Sequence, residues 1–254
     1  MTATIDISAR GTRGRAVAVA VPVVCVGLIL TAILTVVLSI IGLVIGLVLT
    51  AVVTAVRVRT FGRSFDRRIL EPFTTIAAES SPAAAGLCNL AEGLATSVGV
   101  DVPDLRVLAD PGCNVLVVDG GTDRAVVIVT SGLLEALTRV ELEGVVARAL
   151  VQIRQGDAAA VLADLAIDRA PDVKVLRNIV GGPSVTDDPD RAVLLDRAAV
   201  SATRYPPGLE GALDACRRGT TAVAGADAST AALWLADPLG RESLDHRVAA
   251  LGLL

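Results

Sequence analysis

Two hydrophobic patterns divide the chain. From Ala16 to Val56 the sequence runs for 41 residues without a charged residue, Asn, Gln or His. At ~1.5 Å per residue a single helix of that length would reach about 60 Å, roughly twice a bilayer's hydrocarbon core. The run therefore predicts two spans joined by a tight turn. A cleaved secretory signal has a much shorter apolar core and a small-residue cleavage site, which this run lacks. Small residues recur every fourth position: Gly27, Thr31, Thr35 and Ser39 in the first half, then Gly42, Gly46, Thr50 and Thr54 in the second. Each set predicts a narrow ridge on one helix face, where a backbone can approach closely. The partner of the ridge is either the other half of the hairpin or a second copy of the chain. The break in spacing between Ser39 and Gly42 places the turn.

Beyond Ser80 the pattern becomes periodic. Leu87, Leu90, Ala91 and Leu94 recur at helical spacing, and Gly99 supplies a stop. Three short apolar runs follow, Leu105–Ala109, Asn114–Val118 and Ala125–Val129, and read as strands. Asp119-Gly120-Gly121 marks a hairpin turn between the last two, because glycine accepts positive φ without a steric penalty. A helix is expected from Ser131. Thr138 and Glu141 have the spacing of a capping box, so a second helix starts there and runs to about Gly156. Leu142, Val145, Val146, Ala149 and Ile153 give it a broad apolar face, which predicts burial. Gly181–Asp190 reads as a loop, Arg191–Tyr205 as a helix ended by Pro206-Pro207, and "GLEGALDAC" as the next helix. Ala222–Ser229 is a small-residue loop, Thr230–Leu235 a short helix, and Ser243–Leu254 the final helix. The chain thus divides into a basic tail over 1–15, two transmembrane helices over 16–56, a basic juxtamembrane linker or helix over 57–79, and a folded domain over 80–254. The fold class is α+β, mainly helical with one small antiparallel sheet.

Charge sharpens this division. Residues 1–68 hold eight Arg against Asp6 and Asp66. The other 186 residues carry 15 basic and 25 acidic side chains, a net of −10. An acidic domain excludes nucleic acid as a natural partner. Arg10, Arg13 and Arg15 before the apolar run, and Arg57, Arg59, Arg63, Arg67 and Arg68 after it, place both ends in the cytoplasm by the positive-inside rule. The expected setting is a two-span membrane protein with its domain facing the cytoplasm and its basic linker against anionic headgroups. Cys25, Cys88, Cys113 and Cys216 form no CxxC pair. In a cytosolic domain they are expected to stay reduced, as small buried residues. Trp234 and Tyr205 are expected to anchor the core.

Four stretches in order resemble one family. The edge segment "PGCNVLVV" keeps an Asn at 114. The block "IVTSGLLEALTRVELEGVVARALVQIRQGD" keeps Gly132-Leu133-Leu134, Glu141-Leu142-Glu143, Ile153 and Asp157. "LLDRAAVSATRYPPGLEGAL" keeps Asp196, Arg197, Pro206 and Pro207, and "LADPLGRESLDHRVAAL" matches the family's ending. These pieces resemble the HtpX-like membrane zinc metallopeptidases, relatives of the CAAX prenyl endopeptidases. The resemblance covers roughly residues 80–254 and implies a zincin-like domain behind a membrane hairpin.

It also implies a metal site that this chain does not carry. In HExxH, two His at i and i+4 face zinc from one side of a helix, and the Glu between them handles the proton of the attacking water. In register, the first His is Arg148, the Glu is Ala149 and the second His is Gln152. The third ligand, the Glu of the family's EADR, is placed at Leu194. The one His in the chain is His246. Arg is always protonated and cannot ligate zinc. Asp157, Asp164, Asp168 and Asp196 could at most form a weak hard-cation site. No cofactor is expected. A buried Arg148 would need an acid, and Asp196 and Asp157 are the candidates. Leu194 would fill part of the cavity. His246 reads as a surface or packing residue.

Three functions compete. The first is a pseudopeptidase that binds an unidentified peptide or protein along the edge Asn114, Val115 and Leu116, or that regulates a partner. The second is a structural or assembly module with a closed groove, associating in the bilayer as a homo-oligomer through Gly27, Thr31, Thr35, Gly42, Gly46 and Thr50. The third is residual hydrolysis, through a shared metal or through Ser131, Ser184 or Ser201, for which the chain offers no plausible base.

Overall fold

The computed structural model describes residues 20–34, 44–53, 67–81, 84–120, 124–169, 184–241 and 243–253. Thr35, Ser39, Gly42, Thr54 and the expected turn of the hairpin lie outside these residues, as do Gly121 and the basic residues before Arg67.

Within the apolar run the described residues form two helical stretches, α1 (20–34) and α2 (44–53). Among the described residues no helix is long and apolar enough to cross a membrane. The two stretches do touch. A Cβ added to Gly27 would overlap the Thr50 side chain, and one added to Gly46 would lie 2.6 Å from Thr31 Oγ1. As the residue number rises on one stretch it falls on the other, so the packing is antiparallel. Thr31 and Thr50 donate to the carbonyls of Gly27 (2.6 Å) and Gly46 (2.8 Å), which leaves no hydroxyl unpaired at the contact.

The folded part combines helices with one four-stranded sheet. Its strands are β1 (Thr75–Ala77), β2 (Asp104–Leu108), β3 (Val115–Val118) and β4 (Val126–Thr130), in the order β1-β2-β4-β3. The sheet is mixed, which corrects the antiparallel expectation. β3 passes over to the edge, and β4 returns between it and β2, parallel to β2 and antiparallel to β3. Asp110 holds the crossing loop, its carboxylate accepting from the Gly112 and Ala224 amides at 2.8 and 2.9 Å. β1 falls in the segment expected to be linker. Three residues are too few to show alternation in the sequence, and pairing with β2 makes the strand.

The helices that follow are α3 (Ala85–Val98), α4 (Ser131–Ala136), α5 (Arg139–Arg154), α6 (Asp157–Asp168), α7 (Arg191–Thr203), α8 (Pro206–Arg218) and α9 (Asp245–Leu251). Gly99, at φ 79°, caps α3 as expected. α5 begins in the expected capping box: the Thr138 amide donates to Glu141 Oε2 at 2.7 Å and the Glu141 amide to Thr138 Oγ1 at 3.4 Å. Its residues 144–152 are all buried, because α3, α7 and α8 pack around it. Gly144 lets α8 approach, since an added Cβ would stand 2.6 Å from the Leu209 nitrogen.

Two expectations change on folding and one holds. Cys113 and Cys216 are joined by a disulfide, their Cα atoms 5.2 Å apart, while Cys25 and Cys88 are free. Proximity of two buried thiols from segments 103 residues apart is a tertiary event that spacing does not announce. Tyr205 is 52% exposed rather than a core anchor, because it stands at the corner between α7 and α8. Trp234 does anchor the core at 2% exposure, edge-on to Phe73 with ring centroids 5.6 Å apart.

Candidate functional site: a buried ion cluster and a closed edge

α5 carries Arg148 and Gln152 on one face, one turn apart, because residues four apart align along a helix. Both are buried, with exposures of 3% and 0%. Asp196, on α7, meets them. Arg148 Nε donates to Asp196 Oδ1 at 2.9 Å and Arg148 Nη1 to Gln152 Oε1 at 3.0 Å. A third chain segment completes the cluster. Arg247 of α9 donates through Nε to Asp196 Oδ2 (2.7 Å) and through Nη2 to Asp196 Oδ1 (2.9 Å). Its Nη1 donates to the Leu235 carbonyl at 2.6 Å. One carboxylate thus holds two guanidinium groups. Burial alone would push the Asp196 carboxyl up, but Arg247 and Arg148 outweigh it and hold it below the usual carboxylate range. Gln152 Nε2 is buried with no hydrogen-bond partner.

The other residues singled out from sequence fall elsewhere. Asp157 pairs with Arg191, not Arg148; Arg191 Nε donates to Asp157 Oδ1 at 2.7 Å. Ala149 is buried at 3%. Leu194 is 48% exposed and fills no cavity, which corrects that expectation. Two residues from Asp196 on a helix, it points away from the cluster; Ala192, one turn from Asp196, shares its face and offers no ligand atom. His246 is exposed on α9. Ser131 donates to the Asp110 carbonyl, Ser184 to Asp164 and Ser201 to the Arg197 carbonyl. None of these bonds sets an imidazole beside a serine.

This donor set does not fit zinc. Two cationic or amide side chains stand where imidazoles are required, and the nearby carboxylate already accepts three N–H bonds from guanidinium groups. Among the described residues no group of three His, Cys, Asp or Glu side chains could hold a metal ion.

The expected peptide edge is also occupied. Leu235 N donates to the Val115 carbonyl at 2.8 Å, and Trp234 forms an antiparallel bridge with Leu116. Asn114 clamps the same segment: its Nδ2 donates to the Thr221 and Ala236 carbonyls at 2.8 and 3.0 Å, and its Oδ1 accepts from the Ala236 amide at 3.2 Å. All four residues of β3 are buried. The strap Trp234–Ala236 therefore pairs where an added strand would bind, and β3 has no free edge at Asn114, Val115 and Leu116.

Arg247 and the strap were not singled out from sequence. A signal existed for the first. Leu244, Arg247, Val248 and Leu251 share one helical face, so Arg247 interrupts an apolar stripe and must be buried with a partner.

Fold and site together define an α+β protein whose central helix carries a buried ion cluster at the positions that the resemblance assigns to metal ligands. The comparisons find similar proteins for that class. A "Protease HtpX homolog" from Dictyoglomus turgidum is 28% identical over 189 residues, 62% of this chain and 62% of that protein. The homologue from Dictyoglomus thermophilum is 30% identical over 184 residues, 60% and 61% of the two chains. One from Limosilactobacillus reuteri is 27% identical over 190 residues, 60% and 63%. The chain is similar to these HtpX homologues, and it spans about three fifths of their length. No protein-family model and no solved structure matches it.

Proposed function

We propose that the chain is a membrane-anchored, non-hydrolytic HtpX-like protein that works as a structural or assembly module. The observation that carries this reading is the Arg148–Asp196–Arg247 cluster. It ties up the Asp196 carboxylate beside the two former histidine positions, and Arg247 links the cluster, through the Leu235 carbonyl, to the strap on β3. The relatives are named as proteases. Here the residues that would bind metal act as a bolt, and the groove that would hold a substrate holds the chain itself. The strap is no loose occupant: Leu233, Trp234, Leu235 and Ala236 are all at most 2% exposed.

The membrane part of the reading rests on exposed apolar surface. Val26, Leu28, Ile29, Leu30 and Ile33 on α1, and Ile45, Val48, Leu49 and Val52 on α2, are each more than half exposed. Apolar surface this extensive needs a covering phase, and a bilayer supplies it. The Gly27–Thr50 and Gly46–Thr31 contacts fit a hairpin packed on itself, with the outer faces left for lipid or a second copy. With two spans and arginine on both sides, the domain faces the cytoplasm.

The test is metal content together with cleavage, on the full chain purified in mild detergent. The expected result is no stoichiometric zinc after zinc supplementation, and no chelator-sensitive cleavage of an unfolded protein substrate. One tightly bound zinc per chain, or chelator-sensitive cleavage, would overturn it.

A further inference from the structure

The disulfide lies where the strap is fastened. Cys113 directly precedes Asn114, the residue that clamps Ala236 and Thr221. Cys216 stands in the last turn of α8, just before the exposed residues 217–220. The Cys113 amide donates to the Thr220 carbonyl at 2.6 Å. From there the connections run on to the strap's own continuation: Thr221 Oγ1 donates to the Asp237 carbonyl and Val223 N to the Pro238 carbonyl, both at 2.9 Å. One covalent bond thus joins the head of β3, the end of α8 and the loop that grips residues 236–238. Apart from that bond, the fastenings named here are hydrogen bonds.

We propose that Cys113 and Cys216 form a redox-set latch, whose disulfide locks the strap on β3 and whose dithiol form lets it open. Closing the latch joins the two sulfurs in one bond. Two electrons and two protons pass to the oxidant, a low-molecular-weight disulfide, which leaves as two thiols. Exchange proceeds through a mixed disulfide at one sulfur, which the other then attacks. Both sulfurs are buried, so exchange needs the 217–224 segment to swing out. That segment ends a helix and carries exposed residues at 217–220, 222 and 224, the kind of place where local opening is easiest. Cys88 is a poor competitor, because burial and the nearby Glu79 and Glu92 push its thiol up. In the cytosol, a disulfide that forms and breaks is the usual regulatory kind. The latch does not depend on whether the chain hydrolyses peptides, so its failure would leave the preceding section's reading standing.

The experiment equilibrates the full chain in detergent with glutathione disulfide and glutathione at a series of ratios, then quenches with acid. Unfolding, alkylation and mass measurement count thiols, and hydrogen exchange is followed in both forms. The expected oxidised form alkylates at Cys25 and Cys88 alone, and the reduced form at all four cysteines. On reduction, amide exchange over residues 115–118 and 234–238 rises about tenfold or more, and Tm falls by on the order of 10 °C. In amide exchange and Tm, Cys113→Ser and Cys216→Ser match the reduced form under both conditions. Four alkylated cysteines at every ratio would overturn the latch. So would a bridge that no ratio reduces, or equal exchange in the two forms.

Discussion

Removing the charge of Asp196 tests the cluster most directly. In Asp196→Asn one carboxylate oxygen becomes an NH2 group. Either placement aims it at a guanidinium N–H, because Oδ1 accepts from Arg148 and Arg247 and Oδ2 from Arg247. Two cations, each 3% exposed, then lose the carboxylate they share. Breaking one buried pair costs about 3–5 kcal/mol, and this change breaks two, which puts the variant at the upper end, ~5 kcal/mol. That shifts the folding equilibrium by more than a thousandfold, a third or more of a typical total stability. Arg148→Met is the control. It removes one cation, leaves Asp196 paired with Arg247, and takes a net charge of +1 out of the cluster. Its cost should be ~1–2 kcal/mol, mostly from the Gln152 Oε1 acceptor it leaves unpaired. Urea titration of the full chain in detergent reads both, with the fluorescence of Trp234, the one tryptophan, as reporter. If Asp196→Asn costs less than ~1 kcal/mol, or Arg148→Met costs as much as Asp196→Asn, the cluster is not the bolt described above.

The same carboxyl sets an acid limit. Its folded-state value is depressed, so its contribution is complete above the unfolded value of ~3.9 and is lost as pH falls through the folded one. Native protein should lose stability below about pH 4 more steeply than Asp196→Asn, as urea midpoints at pH 3–7 would show. Gln152→Glu should stabilise by ~1 kcal/mol, because a carboxylate beside Arg148 neutralises the cluster and removes the orphan Nε2 donor; a lower urea midpoint at pH 7 would refute this. Gly144→Ala should cost ~1–3 kcal/mol, since its Cβ meets the backbone of α8, and thermal unfolding measures it. Gly46→Leu should separate the two apolar helices at Thr31, abolishing disulfide cross-linking between cysteines introduced at Val24 and Val53; unchanged cross-linking would mean the helices do not pack there.

Local chemistry was legible in the sequence wherever a residue's neighbours in the chain decide its state. The capping box at Thr138 and Glu141 needs three residues, the stop at Gly99 one residue able to take positive φ, and the burial of α5 a run of apolar positions. That the chain cannot offer the two histidines of HExxH was equally legible, since it holds one histidine. Asp196 could be named as a partner of Arg148 because a buried cation must find an acid, and few acids were within reach of the register. Only the tertiary structure decided the rest. It sent Asp157 to Arg191 and brought Arg247 to Asp196 from 51 residues away. It turned Leu194 outward, because α7 buries the side that carries Val193, Asp196, Ala199 and Val200. It slid β4 between β2 and β3, joined Cys113 to Cys216, and laid Trp234–Ala236 along the edge strand. These contacts join residues tens of positions apart, and each depends on how whole elements pack. A pattern of periods three to four or two reports which face of an element is buried, and says nothing of what it is buried against.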